Sequence, residues 1–366
     1  MEKKRLIIFT PSIEGGGVEK NFFIISNFLS KKVNSISVIT ISKKIKKQLN
    51  NKINLITPKN ELWNNIGRRK KFIICSIFLF LELIKNKNAV VLCFQGNAYC
   101  ALICKLFSVK FILRSNTAPS GWSKNKIKVF LYKFIYGLAD KIVVNSQEFK
   151  KEFNRKFSLS SVCIYNPLNK KEIIYLSKKK INFNFFEKKN LNIISVARLS
   201  DQKDHLTLLK AVNNLKNKIN IKLLLIGSGN QFKFISDYIN EKKLSKMIKI
   251  IKFKKNPYPF ILKSDLLILS SKYEGLPNVL LEALVLKKFV ISSNCPTGPK
   301  EVLDNGKGGF LFKTGEKNDL KNKILFFYQN RGKCRKLTLF GNKRLNRFDS
   351  KLNLNKYYQI IKNYII

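Results

Sequence analysis

Two carboxylates eight positions apart, Glu274 and Glu282, stand in the stretch Ser271-Lys272-Tyr273-Glu274-Gly275-Leu276-Pro277-Asn278-Val279-Leu280-Leu281-Glu282. Glu274 falls in a glycine-containing turn behind the apolar run Leu266–Leu269. Glu282 falls inside a helix that Pro277 can open, because proline suits the first helical turn. One carboxylate is thus placed at the mouth of a helix and the other more than a turn inside it, with backbone N–H groups between. Carboxylates hold hydroxyls, and a helix N-terminus favours an anion. A sugar nucleotide offers both.

Other candidate groups also stand behind apolar runs. Arg198 and Lys203 lie in Ala197-Arg198-Leu199-Ser200-Asp201-Gln202-Lys203-Asp204, where a fixed guanidinium fork and a flexible ammonium suit a diphosphate. Their plainer reading is two surface cations. Gly15-Gly16-Gly17 stands between the first apolar run and a helix expected from about Asn21; Gly16 and Gly17 let backbone come close to a phosphate, or simply make a turn. It is not GxGxxG, so a nicotinamide fingerprint is not supported. Gly227-Ser228-Gly229 reads equally as a truncated phosphate loop and as a tight strand-to-helix turn. In Cys295-Pro296-Thr297-Gly298-Pro299-Lys300-Glu301, Thr297 is expected to cap a helix, and Lys300 and Glu301 read as surface charges. The single histidine, His205, reads as a packing or capping residue; no nucleophile elbow accompanies it.

Strand-length apolar runs alternate with helix-length segments along the chain, which predicts parallel sheets covered on both faces. In the first half the runs are 6–10, 36–41, 54–57, 89–94, 110–115, 141–145 and 162–165. In the second they are 192–197, 222–227, 249–253, 266–270, 289–293 and 309–312. The polar, lysine-rich stretch between the two series breaks the alternation. The expected fold is α/β: two doubly wound Rossmann-like domains facing across a cleft. The expected division is 1–170 for the N-terminal, acceptor-side domain, 171–190 for a linker, 191–345 for the C-terminal, donor-side domain, and 346–366 for a helix packing back on the N-terminal domain.

The 366-residue chain exceeds the length at which one core usually splits. Its net charge of +49, from 71 Lys+Arg against 22 Asp+Glu, invites a nucleic-acid reading. The lysines are scattered among Asn, Ile and Phe in the manner of compositional bias, and no nucleic-acid-binding motif appears, so no nucleic acid is expected. Clusters such as Lys43–Lys47 and Arg68–Lys71 suit an anionic membrane surface or are solvated faces. The run Phe72–Leu81 is too short to span a bilayer and reads as a core helix or as one lying on a membrane. Seven cysteines without a CxxC pair, and an N-terminus leading into a first strand, predict reduced thiols in the cytoplasm.

Taken as a series, Gly15-Gly16-Gly17, Arg198, Lys203, Glu274-Gly275-Leu276-Pro277 and Glu282 resemble the retaining glycosyltransferases of family 4, whose fold is GT-B. Asn256-Pro257-Tyr258-Pro259 and Cys295-Pro296-Thr297-Gly298-Pro299 resemble its bacterial polysaccharide and lipid-linked glycan branch. The resemblance implies transfer of a hexose or N-acetylhexosamine from a nucleoside-diphosphate sugar, UDP first, to a glycan or lipid-linked glycan. It implies retention of configuration and neither cofactor nor metal. Glu274 would meet the sugar hydroxyls and Glu282 the ribose. Arg198 and Lys203 would clamp the diphosphate with help from Gly275, Leu276, Pro277 and Asn278, while Gly16 and Gly17 would close over the donor phosphate. The chain departs from the family at Lys254, where relatives carry glycine, and in having no histidine before His205; Arg114 and Asn116 are the candidates for that sugar-side position. A cytoplasmic protein, peripheral on the inner face of the membrane, is the corresponding expectation. A sugar-nucleotide epimerase of the same shape and a basic membrane- or nucleic-acid-binding module are the alternatives.

Overall fold

The computed structural model describes residues 4–13, 15–60, 63, 66–122 and 125–365; Met1–Lys3, at the start of the stretch read as leading into a first strand, lie outside them. The chain divides into two compact units, Met1–Pro167 with Ser350–Ile366, and Leu168–Asp349.

The first unit contains one sheet built from β1 (Arg5–Phe9), β2 (Ile36–Ile39), β3 (Ile53–Ile56), β4 (Ala89–Cys93), β5 (Lys110–Arg114), β6 (Lys141–Val144) and β7 (Val162–Cys163), ordered β3-β2-β1-β4-β5-β6-β7. The second contains β8 (Leu191–Val196), β9 (Ile221–Ile226), β10 (Ile248–Ile251), β11 (Leu266–Leu269), β12 (Phe289–Ser293) and β13 (Phe310–Phe312), ordered β10-β9-β8-β11-β12-β13. Every ladder is parallel.

The strands are apolar throughout because both faces are covered. Side chains alternate between faces, and β1 shows the result. Ile7 and Phe9 enter a core with helices 68–85, 97–106, 126–137 and 147–157. Leu6 and Ile8 enter another with Gly17–Leu29 and the C-terminal helix Ser350–Ile365. That last helix is held through Leu354, Tyr357 and Ile361.

Strand order reverses between β1 and β4, and again between β8 and β11. In doubly wound sheets a ligand binds outside the carboxyl ends of the strands at such a reversal. Topology alone therefore marks the loops after β8 and β11, where Lys203 and Glu274 lie.

The expectation of a linker over 171–190 is corrected. Lys170–Ser177 is a helix capped by Asn169, whose side chain accepts from the Glu172 amide. Further on, Phe183 packs edge-on against Phe260 with ring centroids 5.0 Å apart. Aromatic packing makes this polar-looking stretch part of the second unit. The apolar run Phe72–Leu81 lies in helix Arg68–Lys85, buried along Cys75, Leu79 and Leu83 and exposed on its other side. Among the described residues no helix is long and apolar enough to cross a membrane.

Candidate active site

Three strand-to-helix loops of the second unit, after the neighbouring strands β8, β11 and β12, converge. The loop after β8 carries Lys203 at the end of a short 3-10 turn, Asp201–Lys203. Asp204 then takes a left-handed backbone (φ 42°) and caps helix His205–Asn213, its carboxylate accepting from the Thr207 amide and hydroxyl. An aspartate tolerates that conformation where most residues do not. The loop after β11 carries Glu274 and leads through Pro277 into helix Asn278–Val285.

Glu274 is buried, and one of its carboxylate oxygens is fully committed. Oε1 accepts from Lys203 Nζ at 2.5 Å and from Ser271 Oγ at 2.6 Å. Among the described residues nothing donates to Oε2. The ammonium has three donors, and Glu274 takes one of them. The pair is thus half closed: a carboxylate oxygen and two ammonium protons remain for a ligand.

The surroundings fix this pair through hydroxyls and backbone. Thr297 Oγ1 donates to the Glu274 carbonyl at 2.7 Å, Ser293 Oγ to the Ser271 carbonyl at 2.6 Å, and Ser270 Oγ to the Lys203 carbonyl at 2.9 Å. Gln202 Nε2 donates to the Tyr273 carbonyl at 2.9 Å, tying the first loop to the second. Thr297 itself is buried at φ 60°, a strained setting for a β-branched residue, of the kind that concentrates at functional sites. It does not cap the next helix as expected; Gly298 holds that position. Gly298 has φ +88°, and a Cβ there would meet the Gly275 carbonyl oxygen at 2.2 Å. Only glycine lets the third loop lie this close to the second.

Glu282 is buried within helix Asn278–Val285 and accepts from Tyr258 Oη at 3.2 Å. Gly275, Leu276, Pro277 and Asn278 lie between the two carboxylates, at the positive end of that helix's dipole. Arg198 is exposed in the loop that bears Lys203. The glycines 227 and 229 prove to be packing residues: a Cβ on either would strike the carbonyl of Ala197 or Leu199 at 1.9 or 2.1 Å. They let the loop after β8 fold over the end of β9.

His205 is buried at the first position of its helix. Burial, and secondarily the Lys203 charge, lower its pKa to about 4, so the ring is neutral. Burial, with Glu274 adding to it, pushes the Cys295 thiol up to about 12, which leaves it an inert thiol.

In the first unit, Gly16 and Gly17 stand at the N-terminus of helix Gly17–Leu29, behind β1 at the strand-order reversal. Arg114, at the end of β5, is buried rather than offered to solvent. Its Nε donates to Tyr357 Oη at 2.9 Å and its Nη2 to Asn166 at 2.8 Å, and it lies over the Phe94 ring. Asn116 donates to the Phe94 carbonyl at 2.8 Å. Arg114 Nη1, Asn116 Oδ1, Gln95 Oε1 and Asn145 Oδ1 are buried along this edge and have no hydrogen-bond partner among the described residues.

Sequence reasoning singled out Glu274, Lys203 and Glu282 but not Ser271, Ser293 and Tyr258, and it gave Thr297 a capping role in place of its bond to the Glu274 carbonyl. Tyr258 was visible only as a member of a proline motif. The serines carry no local signal, since their partners lie on other loops.

Two parallel doubly wound sheets, each with a strand-order reversal, define the GT-B class of fold. The same architecture is present in Anabaena Alr3699/HepE in complex with UDP-glucose, with a TM-score of 0.78 at 15% identity over 98% of this chain and 99% of that one. Residues 177–344 match the family "Glycosyl transferases group 1". An "uncharacterized glycosyltransferase" of Methanocaldococcus jannaschii, MJ1059, is 34% identical over 55% of this chain; the match spans about half (53%) of that relative's length. The N-acetylgalactosamine-N,N'-diacetylbacillosaminyl-diphospho-undecaprenol 4-alpha-N-acetylgalactosaminyltransferase of Campylobacter jejuni is 27% identical over 65% of this chain and 68% of that protein.

Proposed function

We propose that the protein is a retaining glycosyltransferase. In this reading it moves a hexose or N-acetylhexosamine from a nucleoside-diphosphate sugar, UDP first, to a lipid-linked glycan at the inner face of the cytoplasmic membrane, in cell-surface polysaccharide synthesis. The observation that carries this is the half-closed Lys203–Glu274 pair at the strand-order reversal of the segment that matches the group 1 family. The Campylobacter relative, named for a diphospho-undecaprenol substrate, and the Anabaena structure with UDP-glucose support the choice of acceptor and donor.

The roles follow from the chemistry. Glu274 accepts from the donor sugar's hydroxyls through Oε2, and Glu282, oriented by Tyr258, accepts from the ribose. Lys203 and Arg198 neutralise the diphosphate, with the dipole of helix Asn278–Val285 adding to them. Fixed cations make a metal unnecessary. The acceptor hydroxyl oxygen bonds to the anomeric carbon as the bond to the diphosphate oxygen breaks. The hydroxyl proton passes to that departing oxygen on the same face, so configuration is kept. Charge grows on the diphosphate along this path, and preorganised cations there stabilise the transition state more than the ground state. The unpartnered polar atoms at Arg114 and Asn116 fit hydroxyl groups on the acceptor or sugar side.

The test is a calorimetric titration with UDP-, GDP- and ADP-sugars, followed by incubation with the bound donor and a polyprenyl-diphosphate-linked sugar in EDTA. The expected result is tightest binding of a UDP-sugar and an α-linked product from an α-linked donor. An inverted product, or activity abolished by EDTA, would overturn the mechanism; a UDP-sugar epimerised without transfer would identify an epimerase instead.

A further inference from the structure

We propose that helices Arg68–Lys85, Asn97–Leu106 and Lys126–Gly137 of the first unit together form a docking face for an anionic lipid bilayer. This deepens the lipid-linked acceptor reading and rests on it for its purpose, though not for its physics.

The three helices lie side by side on one face of the first sheet and share one core. Each has a buried stripe, as a surface helix should. Each also carries a second apolar stripe on the side facing away from the sheet. In Arg68–Lys85 it runs Ile73, Ile77, Leu81 and Ile84, with Phe80 beside it, all at helical spacing and exposed. In Lys126–Gly137 it is Ile127, Phe130, Leu131 and Phe134, exposed by 51–70%. Leu102 and Leu106 carry it across the helix between them, and Phe80 packs edge-on against Phe107 at 5.1 Å, joining the first two helices. Among the described residues, half of the exposed large hydrophobics, eleven of twenty-two, lie on these three helices. Contiguous exposed apolar surface of this kind marks an interaction site.

The neighbouring helix Gln147–Phe157 shows that the pattern is not a general property of this chain. It packs on the same core through Phe149, Phe153 and Phe157, and its outer positions are polar, Lys151, Arg155 and Lys156 among them.

Charge selects the occupant. The three helices carry nine Lys or Arg and a single acid, Glu82, which pairs with Arg5 at 3.4 Å. Four of the cations, Arg68 to Lys71, form the first turn of one helix, beside its apolar stripe. A basic surface interleaved with Ile, Leu and Phe matches anionic headgroups over acyl chains. A protein partner or a second copy of this +49 chain would need acidic surface to match it.

Co-sedimentation of the full chain with vesicles tests the proposal. The expected result is at least tenfold tighter binding to phosphatidylglycerol/phosphatidylcholine vesicles than to phosphatidylcholine alone. The neutral double substitution Phe130→Ser with Phe134→Ser should weaken that binding at least tenfold. Lys151→Ser with Arg155→Ser, on the neighbouring helix, should change it less than threefold. The Phe130/Phe134 variant should bind UDP-sugar like the parent, so failure here is separable from failure of the donor site. Equal binding by the two variants would reduce the effect to bulk charge and overturn the docking face. So would a concentration-dependent dimer, seen by sedimentation, that the Phe130/Phe134 variant abolishes, since the face would then belong to a second copy.

Discussion

The carboxyl edges of the two sheets stand on the same topology and are furnished differently. Beyond β8 and β11 the second unit places opposite charges in contact, Lys203 against Glu274, and buries a further carboxylate, Glu282, under a tyrosine hydroxyl. Beyond β4, β5 and β6 the first unit places amides and hydroxyls, Gln95, Ser115, Asn116 and Asn145, with one buried cation, Arg114, that its own chain holds. Burying charge is expensive unless each group is paired and hydrogen-bonded. The second unit meets that cost with three loops locked together by Ser270, Ser293, Thr297 and Gly298. The first edge also buries a carboxylate, Glu19, which accepts from Gln95 Nε2 at 3.4 Å. The proposed function assigns the diphosphate to the second edge.

The sharpest way to break this comparison is to remove charge from the second edge. Lys203→Ala and Glu274→Ala should each lower kcat by about 10²–10³, the range seen when one donor to a developing oxyanion is lost, measured as UDP release with acceptor present. Glu274→Gln should keep part of the binding, since its carbonyl still accepts. A loss under tenfold in both alanine variants would mean that the pair is structural only. Gly298→Ala should cost about 2–4 kcal/mol in urea unfolding, because the added methyl meets a backbone carbonyl and the left-handed φ penalises it. It should also weaken UDP-sugar binding, as the third loop backs away from Glu274.

Most of the fold was legible because a parallel strand covered on both faces must be apolar along its length. Runs such as Leu266–Leu269 have no other comfortable reading. Glu274 was legible because glycine and proline follow it at the start of a helix. The segment 171–190 was misread because what places it there is distant: Asn256 Nδ2 donates to the Leu176 carbonyl at 2.9 Å, and Phe183 meets Phe260. Lysine-rich composition hid both. Helix Arg68–Lys85 was left open between core and surface for a different reason. Both of its sides are apolar, and periodicity cannot tell a core stripe from a docking stripe when the two occur on one helix.

On the first edge the corresponding substitution is Arg114→Met. It removes a charged donor from Tyr357 and Asn166 and should destabilise the first unit by about 2–3 kcal/mol, as for hydrogen bonds to a charged group. Affinity for UDP-sugar, read by calorimetry, should stay within a factor of two or three. A large loss of donor affinity without loss of stability would move Arg114 into the donor site and blur the division between the edges.

The smallest effect is expected at His205, which separates a charge that works from one that is merely excluded. Its folded pKa of about 4 lies below the ordinary 6.5 because burial, helped by the Lys203 charge, penalises the imidazolium. Between these values the unfolded chain holds a proton that the folded chain does not. Its contribution is therefore fully present above pH 6.5 and is lost as pH falls toward 4, by about 3 kcal/mol in all at 1.36 kcal/mol per unit. His205→Gln has no such proton to take up. Near pH 7.5 it should change stability and kcat by little. Between pH 6.5 and 4.5 its unfolding midpoint in urea should fall less steeply than that of the parent. Parallel pH profiles would show that the ring is protonated in place, and a deep loss of kcat at neutral pH would give the histidine a role in the reaction.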